Sequence, residues 1–332
     1  MGILDSQQET DPNKILPITY DWARSYYKKG VANNWTPEEI PMQDDVQQWN
    51  SEDELTEDER RVVRWNMGFF STAESLTANN IVLAIYEHVR NPEARQYLLR
   101  QAFEEAIHTD MFIYCCDTLG EDPDEIYNMY NTIPSIKKKD DFVVDLTTSI
   151  FDKDFEIETT EDVQDFLRDI VGFYIIMEGI FFYAGFAMML SLKRRDKMVG
   201  IGQQFEYVMR DESLHVGFGA DLINTIVKEN PEVWTEEFQQ EIVELIKESV
   251  ELEKEYAFDA CPNGILGLRP DQFANYVEYM ADRRLKRINL PEVYGTDNPF
   301  PWMSQQADLD KEKNFFETKV TEYQSGGSLD WE

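Results

Sequence analysis

The chain has three histidines among its 332 residues, and two of them fall in one pattern, Glu105-Ala106-Ile107-His108 and Glu212-Ser213-Leu214-His215. A separation of three puts both side chains on one helix face, so each pattern can offer a carboxylate oxygen and an imidazole nitrogen to the same ion. One Glu-x-x-His is weak, because a glutamate often precedes a histidine on a solvated helix. Two gain weight from a pair of glutamates in apolar surroundings. Glu74 lies between Met67-Gly68-Phe69-Phe70 and Ile81-Val82-Leu83-Ala84-Ile85, and Glu178 lies between Ile175-Ile176-Met177 and Ile180-Phe181-Phe182. An unpaired carboxylate in such a setting costs several kcal/mol, so it must be neutralised, paired or bound to a metal. Glu105 follows Glu74 by 31 residues and Glu212 follows Glu178 by 34, so the chain presents Glu, then Glu-x-x-His, twice over. That is the ligand pattern of di-iron and di-manganese helical bundles. Four carboxylates and two imidazoles suit iron or manganese, whereas zinc would bring cysteine or more histidine. Two such ions can take up several oxidising equivalents, which points to dioxygen chemistry. The plainer account, ordinary surface acids and satisfied core histidines, leaves the recurrence unexplained.

Four long helices must carry these six residues. Thr56-Glu57-Asp58-Glu59 reads as a helix start, and the segment runs to about His88. Asn91-Pro92 starts a second, which ends near Leu119-Gly120 and makes an antiparallel pair with the first. Residues 121 to 160, with Pro123, Pro134 and Lys137-Lys138-Lys139, read as a loop. The third segment runs from about Glu161 to Leu192, and the fourth follows Gly200-Ile201-Gly202 and continues to Glu229, before Asn230-Pro231. Thr235 to Asp259 and Asp271 to Arg287 supply further helices, and strand signals are almost absent. The expected fold class is therefore all-α, a four-helix bundle core extended by additional helices. Residues 1 to 50, with Trp22, Trp35 and several prolines, read as an arm with one short helix packed on a body spanning 51 to 300. Residues 301 to 332 read as a tail.

Val171 to Leu190 is long and apolar enough to span a bilayer, and Lys193, Arg194 and Arg195 follow it. Glu178 in its middle and the lack of a second such stretch favour the central helix of a bundle instead, with no membrane partner. The 65 acidic and 31 basic residues give a formal charge of −34, which repels nucleic acid and anionic lipid. Three cysteines, two of them adjacent, form neither a disulfide framework nor a CxxC pattern. The N-terminal residues show no basic region followed by an apolar run, and Gly2 with Ser6 is too short a myristoylation match to weigh. A cytoplasmic setting is the expectation.

Beyond the ligands, the chain resembles the small, radical-generating subunit of class I ribonucleotide reductase over nearly its whole length. The resemblance is carried by Asn33-Asn34-Trp35-Thr36-Pro37-Glu38-Glu39, Gly68-Phe69-Phe70-Ser71-Thr72-Ala73-Glu74, Arg100 to His108, Ile176-Met177-Glu178-Gly179, Arg210 to His215 and Phe315-Phe316-Glu317. It implies a ferritin-like fold, a homodimer, and six metal ligands: Glu74, Glu105, His108, Glu178, Glu212 and His215. It also implies a partner, the large subunit, on which a cysteine is reversibly oxidised to begin ribonucleoside diphosphate reduction.

One position departs from the family's commonest pattern. Four residues after the first ligand histidine, where a radical-bearing tyrosine is usual, stands Phe112, which cannot form a stable phenoxyl radical. This resembles the class Ic, chlamydial-type subgroup, in which a Mn(IV)/Fe(III)-type cluster, activated by oxygen, stores the oxidising equivalent; two iron or two manganese ions are the alternatives. Glu74, where many members have Asp, and Tyr207, matching a tyrosine that acts with a tryptophan during cofactor activation, agree with that subgroup. The resemblance assigns Trp35 and Asp211 to an electron route through His108, and Glu317 and Tyr323 to the tail that carries the radical toward the large subunit. Leu329 and Trp331 are candidate anchors there. An R2-like dimetal oxidase acting on a lipid or other small molecule shares the ligand set but has no need of Trp35, Asp211 and Tyr323. Metal storage has no use for so long a tail.

Overall fold

The computed structural model describes residues 2–4, 16–77 and 81–303. Two helices precede the body, α1 (Asp21–Ala32) and α2 (Gln43–Asn50), with a single turn at Pro37–Glu39 between them. The sequence suggested one helix here. α2 is anchored from outside itself, since Asp45 accepts the Gly200 and Ile201 amides at 2.9 and 2.6 Å.

α3 (Glu57–Leu76) starts where expected: Thr56 accepts the Glu59 amide and Glu59 accepts the Thr56 amide, so two free amides are satisfied at once. Of the segment read as continuous to His88, the described residues beyond α3 include α4 (Val82–His88), and residues 78–80 between them lie outside the described residues. α5 (Pro92–Leu119) is capped by Asn91 and ends at Gly120, whose φ of 72° is open to glycine and strained for other residues.

The region read as a loop is largely helical. After the short turns α6 (Pro123–Ile126) and α7 (Met129–Thr132), Pro134 occupies the first turn of α8 (Pro134–Leu146). Proline there lacks an amide that would have no partner anyway, so it begins a helix instead of breaking one. Ile136, Lys139 and Val143 make the inner face of α8, and Lys139 is fully buried. Its Nζ lies 2.5 Å from Glu253, also fully buried, on α12 (Glu236–Ala260). Burial pushes the ammonium down and the carboxyl up. Buried pairs of this kind are often replaceable by apolar groups, whereas breaking one leaves a lone charge. Glu253→Leu alone should therefore cost the metal-free protein about 3–5 kcal/mol, and Lys139→Met with Glu253→Leu should cost less than that single change, read by urea unfolding.

The third long segment is continuous but changes character. α9 (Thr160–Ile170) passes into a π-helix at Val171–Phe181, and α10 (Tyr183–Lys193) follows. Its most apolar window, with mean hydropathy 1.8, is entirely buried, so it has no face to offer lipid. The reading as a central bundle helix is the one the structure bears out.

α11 (Val199–Glu229) packs along the π-helix and α10, and against α5. A Cβ at Gly219 of α11 would overlap the Tyr174 ring, so glycine there lets the π-helix approach closely. α12 and α13 (Pro270–Arg287) close the bundle from one side, and α1 covers α5 and α11. No β-strand forms among the described residues beyond one isolated bridge between Ile265 and Leu268.

Candidate dimetal centre

Each of the four long helical segments delivers its expected ligand to one buried point. Glu74 comes from α3, Glu105 and His108 from α5, Glu178 from the π-helix, and Glu212 and His215 from α11; all six are at most 1% exposed. The Nδ1 atom of His108 faces Glu74 at 3.3 Å, Glu105 at 3.5 Å and Glu212 at 3.2 Å. The Nδ1 atom of His215 faces Glu105 at 3.1 Å, Glu178 at 3.6 Å and Glu212 at 3.4 Å. The two rings are 6.0 Å apart. Glu105 and Glu212 each turn one oxygen to either histidine, so they belong to both groups while Glu74 and Glu178 belong to one each. The arrangement offers two positions, each of which could hold an ion, with Glu105 and Glu212 common to both.

The donor atoms fit metal ions better than they fit each other. Glu74 Oε1, Glu105 Oε2, Glu178 Oε2, both Glu212 oxygens and His215 Nδ1 are buried without a hydrogen-bond partner. Leaving such atoms unsatisfied costs about 1–3 kcal/mol each, more when they are charged. Without a cation, burial pushes Glu74 and Glu178 up, and neighbouring carboxylates add to it. Burial alone would lower both imidazoles and raise Glu105. The acids around His108 and His215 more than offset this, and those two histidines hold Glu105 below the carboxylate range. Protons thus stand in for cations. Two divalent ions would neutralise four carboxylates and leave both imidazoles neutral, with Nδ1 free to donate to metal.

Both histidines are oriented from behind. His108 Nε2 lies 3.5 Å from Asp211 Oδ2, and His215 Nε2 lies 2.9 Å from Glu104 Oε2. Arg100 donates to Glu104 at 2.9 Å. Gln101 donates to Glu178 at 3.2 Å and accepts the Tyr174 hydroxyl at 2.9 Å. Glu104, Gln101 and Tyr174 were not singled out in the sequence, although Arg100 with Glu104 and Gln101 with Glu105 show the four-residue spacing of one helix stripe. Because such partners fix ligand orientation, Glu104→Ala should weaken Mn(II) binding about 10- to 100-fold, measured by titrating the metal-free protein.

Trp35 is 2% exposed and donates its indole N–H to Asp211 Oδ2 at 2.8 Å. Tyr207, half-buried, meets the Trp35 ring edge-on at 5.3 Å, and the Arg210 guanidinium lies over the Tyr207 ring at 4.8 Å. His108, Arg210 and Trp35 together hold Asp211 below its usual pKa despite burial. Phe112 is 1% exposed, stacked 5.9 Å from Phe70 and edge-on at 5.6 Å to Phe205. Glu317, Tyr323, Leu329 and Trp331 lie outside the described residues.

A four-helix bundle that brings two Glu-x-x-His pairs and two further glutamates to one buried point defines a ferritin-like dimetal-carboxylate protein. The sequence profile of "Ribonucleotide reductase, small chain" matches residues 12–299, so the chain belongs to the ribonucleotide reductase small-subunit family, whose members bind a dimetal site. It is 58% identical over 330 residues to a ribonucleoside-diphosphate reductase subunit beta of Chlamydia pneumoniae, covering 99% of its own length and 95% of that relative. It is also 32% identical over 318 residues to a ribonucleoside-diphosphate reductase subunit M2 of Danio rerio, covering 95% and 76%. Among solved structures, the R2 subunit from Clostridium botulinum superposes with a TM-score of 0.78 at 29% identity, covering 87% and 89%. The protein is accordingly a small, beta-type subunit of an oxidoreductase, ribonucleoside-diphosphate reductase.

Proposed function

We propose that this subunit stores its oxidising equivalent on a manganese/iron pair held by Glu74, Glu105, His108, Glu178, Glu212 and His215, and not on a tyrosyl radical. The supporting observation is Phe112. It fills an apolar wall with Phe70 and Phe205 one turn beyond His108, so the helix offers no phenol at that place. When bound, the pair supplies one-electron oxidising power after activation by dioxygen. The donor set takes manganese and iron alike. Reconstitution with manganese, iron or both, assayed with the large subunit, tests the reading: activity should require both, and equal activity with iron alone or manganese alone overturns it.

The protein's own residues hold the ions, exclude water and connect them outward. Asp211 accepts the Trp35 N–H and faces His108, giving a continuous polar link from the His108 position to Trp35, with Tyr207 beside it. The proposed route runs along this link, with Tyr207 serving activation. Glu317 and Tyr323 in the tail would complete it toward the large subunit, where Leu329 and Trp331 anchor. Truncation after residue 315 should leave both ions bound and reduce ribonucleotide reduction to background. Full activity in the truncated protein overturns the role of the tail.

A homodimer is supported by α5. Leu99, Phe103 and Ile113, exposed by 54%, 52% and 45%, share one outer stripe of that helix with Ala106 and Asp110, and a second copy would cover it. The cytoplasm is the proposed location, in keeping with three buried free cysteines.

A further inference from the structure

The π-helix carries Glu178, and what fixes its register lies outside the four ligand-bearing segments. A π turn is wider than an α turn, and where the two ladders meet, backbone groups lose their regular partners. Two cations reach the carbonyls just past Glu178. Arg284 of α13 donates Nε–H to Gly179 O at 3.0 Å, and Lys139 of α8 donates to Phe181 O at 3.1 Å. Glu253 of α12 pairs with Lys139 and reaches the junction through it. The pair therefore meets a backbone acceptor where the π-helix passes into α10.

Lys139 is also enclosed, with its Nζ 3.4 Å from the Phe69 ring centre and 4.0 Å from that of Tyr256. Hydrophobic packing would fill this space without the penalty of taking two charges out of water. What apolar side chains could not do is donate to Phe181 O. Glu178 itself has one side-chain hydrogen bond, from Gln101 to Oε1, with His215 Nδ1 3.6 Å away, and its Oε2 has no hydrogen-bond partner. The position of its carboxylate is therefore set mainly by the backbone that bears it.

We propose that Lys139, Glu253 and Arg284 are positioning residues that hold residues 171–181 in the π register and so place Glu178 for the metal position formed by Glu105, Glu178, Glu212 and His215. The other position, formed by Glu74, Glu105, His108 and Glu212, takes no residue from the π-helix. The inference rests on the dimetal reading.

The test is Mn(II) titration of the metal-free full-length protein, followed by the EPR signal of free Mn(II), together with amide hydrogen exchange of the metal-free form. Wild type should take up two ions per subunit. Lys139→Met with Glu253→Leu should bind one ion within twofold of wild type and the second at least tenfold more weakly, with amides of 171–184 exchanging at least tenfold faster. Anomalous diffraction should place the retained ion between Glu74 and His108. Two ions bound within twofold of wild type with unchanged exchange overturn the proposal. Should the double variant fail to fold, Arg284→Met decides: selective weakening of the second ion supports the proposal, and equal weakening of both, or of neither, overturns it. Wild-type protein that takes up no Mn(II) sinks the dimetal reading, and this inference with it.

Discussion

Glu212→Ala should empty both metal positions and bring ribonucleotide reduction to background. Glu212 Oε1 faces His108 and Oε2 faces His215, at 3.2 and 3.4 Å, so a single truncation removes one donor from each group of four. Loss of a partner behind a ligand costs about 10- to 100-fold in affinity, and loss of a bridging ligand at two positions should exceed that at both. Glu74→Ala makes the contrast, since Glu74 belongs to the His108 group alone. It should remove one ion and leave the other. The metal-free Glu212→Ala protein should be at least as stable as wild type, because a carboxylate leaves a crowded acidic cluster. Metal analysis after gel filtration, paired with thermal unfolding of the metal-free forms, reads both effects. Two ions retained per subunit in Glu212→Ala would show that the carboxylate does not bridge.

Trp35→Phe should separate assembly from use. The substitution keeps a buried ring but deletes the N–H that Asp211 accepts at 2.8 Å. Asp211 retains Arg210 at 3.2 Å and His108 at 3.5 Å, so the stability loss should stay near the ~1–3 kcal/mol of one unsatisfied buried acceptor. Both ions should bind as in wild type. Reduction with the large subunit should nevertheless fall by at least ~10²-fold, the scale of a misplaced reacting group, because the electron route loses its link. Tyr207→Phe is the matched control, and should slow activation while leaving the turnover of an already activated cluster unchanged. Trp35→Phe activity within twofold of wild type would remove Trp35 from the route.

The ligand set was legible because its signals are local and costly. A glutamate amid Ile175-Ile176-Met177 and Ile180-Phe181-Phe182 contradicts its surroundings, and histidine is rare enough in this protein for a repeated Glu-x-x-His to stand out. Helix starts at Thr56, Asn91 and Thr235 were legible for a similar reason: each cap satisfies its own amides within three residues. Pro134 misled, since proline opens a helix as readily as it ends one, and only the burial of Ile136, Lys139 and Val143 against α12 and the π-helix tells which. Lys139 itself, in a run of three lysines, carries no sequence sign of complete burial, because its partner Glu253 lies more than a hundred residues away.

The sequence by itself determined that four helices carry four carboxylates and two imidazoles, and that residue 112 bears no phenol. Both follow from residue type and helical period, which act over a few residues. Tertiary structure alone decided that Glu105 and Glu212 face both imidazoles, that Asp211 and Glu104 stand behind the two imidazoles, and that Glu178 rides on a π-helix whose carbonyls accept from Arg284 and Lys139. Those facts depend on which oxygen faces which nitrogen across packed helices, a relation between residues 34 to 111 positions apart in the sequence that no local pattern encodes.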